Sequence, residues 1–169
     1  MVTVAPTPVA GAGRDGAPMS VEVSNESGAP ADERGLAAVA RFALDRLRIH
    51  PDAELSILLV DEQTMADYHV RFMDLPGPTD VLSFPMDELR PPADDEEPPL
   101  GLLGDIVLCP TVTAAQAAEN GRTPESEADY LLVHGLLHLL GYDHAEPAEK
   151  KVMFDLNDRL VAAWDASRS

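Results

Sequence analysis

From Ser20 onward the hydrophobic positions alternate between a period of two and the longer period of a helix. Val21 and Val23 alternate with polar neighbours in "SVEVSN", as a half-buried strand requires. In "GLAAVARFALDRLRIH" the residues Leu36, Ala40, Ala43 and Leu47 share one helical face. "AELSILLV" is rich in branched residues and reads as a strand. "DEQTMADYHVRFM" returns to helical spacing, with Asp61 placed to cap it. "PGPTDVLSFPM" is a turn running into a short strand that ends at Pro85, and "LLGDIVLCP" is a further strand. "TVTAAQAAENG" is an Ala-rich helix stopped at Gly121. "TPESEADYLLVHGLLHLLG" predicts a long buried helix: Thr123 caps it, Pro124 suits its first turn and Gly141 ends it. "EPAEKKVMFDLNDRLVAAW" predicts a final amphipathic helix with Val152, Leu156 and Leu160 on one side. The order β-α-β-α-β-β-α-α-α, without internal repeats, predicts an α+β fold: one compact domain with a small mixed sheet packed against helices.

The first 18 residues, "MVTVAPTPVAGAGRDGAP", are rich in Ala, Gly and Pro and carry no such periodicity. They are expected to form a disordered extension before a domain over residues 19–166. A chain of 169 residues suits one domain with a real core. No apolar run approaches the roughly 20 residues of a membrane span, and no secretory leader is recognisable. Cys109 is the single cysteine, so no internal disulfide is available and a reduced cytoplasmic setting is expected.

Charge changes the picture. The formal net charge is −18, with 12 Lys and Arg against 30 Asp and Glu. Broad neutralisation of a polyanion needs basic patches, so non-specific tight binding to nucleic acid is not expected. Part of the excess is local: "MDELRPPADDEEPPLG" (86–101) holds six acids and one arginine, and its prolines mark a loop.

The buried helix carries the candidate chemistry. "HGLLHLLGYDH" places histidines at 134, 138 and 144 with Gly141 between the last two. Residues four apart project from one helical face, so His134 and His138 can share a metal ion. A straight helix could not bring in the third ring. Gly141 solves this by accepting the left-handed conformation that ends a helix and turns the chain back. Asp143 is placed to hold a ligand histidine's second nitrogen. Three neutral nitrogens leave a coordination position open, which is the catalytic type of zinc site. This is the ligand spacing of the metzincin proteases, H-E-x-x-H-x-x-G-x-x-H, but Gly135 stands where those enzymes keep their general base. Peptide hydrolysis is therefore disfavoured, whereas Lewis-acid assistance to phosphodiester cleavage is retained. The six leucines 131, 132, 136, 137, 139 and 140 read as core.

With "PTDVLSFP" (78–85) and "LGDIVLC" (103–109) beside this motif, the chain resembles the YbeY family of bacterial rRNA maturation factors over about residues 20–164. The resemblance implies a compact α+β fold with one Zn²⁺ per chain held by His134, His138 and His144. It implies a metal-dependent endoribonuclease that cuts single-stranded RNA in 16S rRNA 3′-end maturation and in quality control of 70S ribosomes. The implied partners are rRNA, the small ribosomal subunit and its proteins; membranes and DNA are not expected. A functionally important arginine of the family falls on Arg71, and guanidinium suits phosphate because it is always charged and binds bidentately. The family's usual Leu-Asn before that arginine is Ala66-Asp67 here. Thr79, Asp80 and Ser83 are expected to organise the turn and strand beside the site. A ribosome assembly factor with a mainly structural zinc is the alternative the acidic charge favours.

Overall fold

The computed structural model of the protein describes residues 20–73 and 79–168. The expectation for residues 1–18 lies outside them. The nine elements follow in the predicted order: β1 (Val21–Asn25), α1 (Glu33–Arg46), β2 (Glu54–Leu59), α2 (Glu62–Met73), β3 (Val81–Pro85), β4 (Leu102–Leu108), α3 (Pro110–Glu119), α4 (Pro124–Leu139) and α5 (Pro147–Ser167). The sheet runs β1-β2-β4-β3. β1, β2 and β4 are parallel and β3 lies antiparallel on the edge, so the sheet is mixed.

Strand alternation sorts the core onto two faces. Leu55, Ile57, Leu59, Val81, Ile106 and Leu108 face one way and pack with α1, α4 and α5. Leu58, Val60, Leu82, Phe84 and Val107 face the other way, beneath Met65, Tyr68 and Phe72 of α2. α4 lies directly on β3 and β4, and the six leucines 131, 132, 136, 137, 139 and 140 are all buried.

The caps read from sequence are formed. Thr64 N–H donates to Asp61 Oδ1 at 2.8 Å, and Ser126 N–H donates to Thr123 Oγ1 at 3.1 Å. The acidic loop is tied down by Arg48, which donates to the carbonyls of Ala93 (3.0 Å) and Glu96 (3.2 Å). One expected face is corrected. Leu160 is buried and Leu156 packs against the core as expected, but Val152 is 57% exposed, and Met153 and Asn157 complete the inward stripe. The buried stripe contains the polar Asn157, which a search for apolar spacing passes over. No helix among the described residues is long and apolar enough to cross a membrane.

Candidate metal centre

α4 ends where the sequence places its end. Leu140 caps it, and Gly141 takes φ +94°, a left-handed conformation that costs a side-chain-bearing residue far more. The N–H of Tyr142 returns to the carbonyl of Leu137 at 3.0 Å. The guanidinium of Arg90 rests against this bend, where a Cβ at position 141 would make it move aside.

The bend brings His144 back to the two helical histidines. One ring nitrogen from each of His134, His138 and His144 lies within 4.8 Å of the others. The ring centroids are 5.0 Å apart for 134–138, 5.7 Å for 134–144 and 5.1 Å for 138–144. His134 and His138 are buried, and each has a buried ring nitrogen, Nδ1 and Nε2 respectively, without a hydrogen-bond partner. Burial pushes His134 down to about 3, helped by the positive charge that His138 and His144 would carry. His138 falls to about 4 for the same reasons, with Asp143 pulling the other way. Neutral imidazoles with free lone pairs, converging at one point, are what a transition-metal ion requires. The residues fit a metal.

Asp143 does not take the place expected for it. Its Oδ1 accepts from the backbone N–H of His144 at 2.7 Å, so it fixes the bend rather than an imidazole ring. The side chain that faces His134 is Asn157, which is fully buried on α5 and partly offsets the fall in that ring's basicity. Neither its amide atoms nor His134 Nδ1 completes a hydrogen bond. Phe154, one helical turn before Asp158 on α5, walls the site at 5.6 Å from His134 and 6.1 Å from His144. Lys150 Nζ lies 5.5 Å from the Phe154 ring centroid. Asn157, Phe154, Lys150 and Arg90 were not singled out in the sequence. Only their position relative to the bend distinguishes them.

The missing glutamate also finds its explanation. Position 135 faces the sheet. A Cβ there would stand 3.1 Å from Ser83 Oγ and Val81 Cγ2 and 3.2 Å from Ile106 Cγ2. Ser83 Oγ donates to the carbonyl of Gly135 at 2.9 Å, which locks helix to strand. Asp80 Oδ1 accepts from the N–H of Val81 at 2.7 Å, so these motif residues organise the turn and strand as expected. Gly135 is a packing residue: even a Cβ there requires Ser83, Val81 and Ile106 to give by a few tenths of an ångström, and a glutamate would point at the sheet.

Arg71 lies in the last turn of α2 and is exposed, its Cζ 5.8 Å from the Phe72 ring. Phe72 packs on Phe84 at 5.4 Å. Phe84 follows Ser83 in β3, so Arg71 and the histidine helix are linked through the edge strand from opposite faces of the sheet. Asp74 to Pro78, which lead from α2 toward β3, lie outside the described residues.

Comparison with known proteins bears on this arrangement. The model of the family described as Endoribonuclease YbeY matches residues 22–165. The Endoribonuclease YbeY of Cutibacterium acnes is 73% identical over 148 residues, spanning 88% of this chain and 96% of that protein. That of Thermobifida fusca is 60% identical over 149 residues, again spanning 88% and 96%. Among solved structures, the solution structure of TM1509 from Thermotoga maritima superposes with a TM-score of 0.56 at 25% identity, covering 87% of this chain and 93% of that one.

Proposed function

Since the chain belongs to the Endoribonuclease YbeY family, an RNA-cleaving hydrolase family, we propose that it is a zinc-dependent, single-strand-specific endoribonuclease. In this reading it works in the cytoplasm on the 3′ end of 16S rRNA and in quality control of 70S ribosomes. The observation that carries the reading is the convergence of His134, His138 and His144 at the glycine bend, two of them buried. These three residues would hold one Zn²⁺, which when bound supplies Lewis acidity toward a phosphoryl oxygen.

The rest of the work falls to the chain's own residues. Arg71 offers an exposed guanidinium to grip a phosphate bidentately. Arg90, against the Gly141 bend, and Lys150, beside Phe154, bring further positive charge to the histidine end. On a protein of net charge −18 such local cations decide where a polyanion can approach. Asn157 faces His134, and Phe154 shields the rings. Hydrolysis of peptides is not supported, because position 135 faces the sheet and carries no base.

The acidic surface favours a second reading, an assembly factor that docks on basic ribosomal proteins while its zinc is mainly structural. One set of measurements tests both. Purified protein should contain zinc and cut unstructured RNA, and His138→Ala should lose the metal and the cutting together. Arg71→Ala should keep its zinc and its fold yet cut about a hundredfold more slowly. If Arg71→Ala still supports rRNA processing at the normal rate, the docking reading replaces the catalytic one.

A further inference from the structure

α4 carries a second feature at its opposite end. The carboxyl ends of β2 and β4, the starts of α1, α3 and α4 and the last turns of α5 surround a cavity of about 540 Å³. That volume suits a small molecule. Crevices beyond the carboxyl ends of parallel strands are also where open α/β sheets take their ligands. The wall is mostly apolar, with Leu36, Leu59, Leu108, Pro110, Ala128 and Trp164 contributing.

Of the two ionisable side chains that α4 brings to that wall, Glu125 and Asp129, only Asp129 is buried. Asp129 is only 8% exposed. Burial lifts its carboxyl to about 6, and the nearby Arg168 guanidinium and Trp164 indole pull it back only in part. Arg168 is engaged elsewhere: its Nη2 pairs with Asp165 Oδ1 at 3.1 Å. Trp164 Nε1 is buried without completing a hydrogen bond. At neutral pH the cavity therefore holds a carboxylate that has lost much of its water without gaining a full counter-ion, a costly state that a cation relieves.

The rim is mainly of the same sign: Asp32 and Glu125 also line the cavity, and the one cation there, Arg168, is paired with Asp165. Helix starts attract anions through their free N–H groups, but here some are already taken. Asp32 Oδ1 accepts from Gly35 N–H at 3.0 Å on α1, and Thr123 Oγ1 accepts from Ser126 N–H at 3.1 Å on α4. We propose that this cavity is a binding site for an aliphatic amine, with the ammonium group at Asp129 and the methylenes against Leu59, Leu108, Pro110 and the Trp164 indole. An alkanoate would enter against three carboxylates, and a neutral alcohol would leave Asp129 uncompensated. The site is separate from the histidines: Asp129 precedes His134 by five residues, about 7.5 Å along the helix axis, and the inference does not rest on the nuclease reading.

Trp164 is the chain's only tryptophan and lines this cavity, so its fluorescence reports on it. Titrating the full-length protein with hexylamine or 1,6-diaminohexane at constant ionic strength should give a saturable change in emission. Hexanoate and hexanol at the same concentrations should give none. Asp129→Asn should weaken the amine at least about tenfold, the worth of a hydrogen bond to a charged group. Ala114→Phe, at an exposed position of the α3 wall, should block entry even if Asp129→Asn folds poorly. No saturable response in the wild type overturns the proposal. So does a response that survives both variants, because the amine is then only a counter-ion of the acidic surface.

Discussion

The two ends of α4 both bury ionisable side chains, and burial acts on them with opposite consequences. At the carboxyl end it pushes His134 to about 3 and His138 to about 4. At the amino end it raises Asp129 to about 6. In each case the poorly hydrated interior favours the uncharged form. For an imidazole that form is the metal ligand, so at neutral pH the histidine end is ready without any titration. For Asp129 the uncharged form is the minority species at pH 7, so that end stays destabilised until a cation arrives. One physical cause thus prepares a metal site at one pole and leaves an unmet electrostatic demand at the other.

The sharpest way to break this comparison is to disable one pole and watch the other. His138→Ala removes a ligand and should cost at least about a hundredfold in metal affinity and in RNA cleavage, more than the loss of an outer partner does. It should leave the Trp164 response to amines intact. If the amine response disappears with it, the two poles are coupled through α4 and cannot be treated as independent sites.

Next in size is the helix centre. Gly135→Glu puts the protease residue back in its sequence position, but into the space held by Ser83, Val81 and Ile106. A long charged side chain buried there should cost several kcal/mol. Urea unfolding should show a destabilised chain with no peptidase activity. A variant as stable as the wild type would mean that position 135 has more room than the helix–sheet contact allows.

The order of elements, the caps at Asp61 and Thr123 and the bend at Gly141 were all legible in the sequence, because each rests on local spacing or on one residue's conformational habit. The convergence of the histidines was legible for the same reason, since a helical turn and a glycine reversal fix it. What was not legible depends on contacts far apart in the chain. Gly135 reads as a missing base until β3 is laid beside it. Asn157 reads as a surface residue of α5 until the helix is rotated onto α4. Asp129 sits in "SEADYLL" like any solvated helix acid, and only the approach of α5 buries it. Arg90 belongs by sequence to an acidic loop, yet its guanidinium rests on the metal bend.

A smaller effect separates the poles by pH. His134 and His138 have folded-state values below the 6.5 of free imidazole, so the stability they contribute to the metal-free protein is present above pH 6.5 and is lost as pH falls toward 4. Asp129 has a folded-state value above its ordinary 3.8, so its contribution is complete below about 3.8 and is lost as pH rises through 6. Asp129→Asn removes the second contribution only. In metal-free protein it should raise stability by about 1 kcal/mol at pH 7.5, a figure reduced for water entering the cavity. The gain should vanish by pH 4. Asp105, which burial also raises to about 6, is present in both proteins and cancels. Urea midpoints at the two pH values check this; an equal gap at both would assign the effect to packing.

The smallest expected effect concerns the cations. At the cavity the wall's guanidinium is already paired, Arg168 with Asp165. At the metal bend no ion pair holds Arg90 or Lys150 among the described residues, although Arg90 comes from a loop with six acids. A cation left unpaired beside neutral histidines is available to a phosphate, and each such contact contributes modestly and in a salt-dependent way. Arg90→Ala and Lys150→Ala should therefore each raise KM for single-stranded RNA about threefold at low salt, leave kcat unchanged, and flatten the dependence of binding on salt. Stability should stay within about 0.5 kcal/mol, since both side chains are exposed. A fall in kcat with KM unmoved would place these cations in the chemistry itself. An unchanged KM and salt slope would make them ordinary solvated side chains, and the approach of RNA to this acidic protein would then fall to Arg71 and the metal alone.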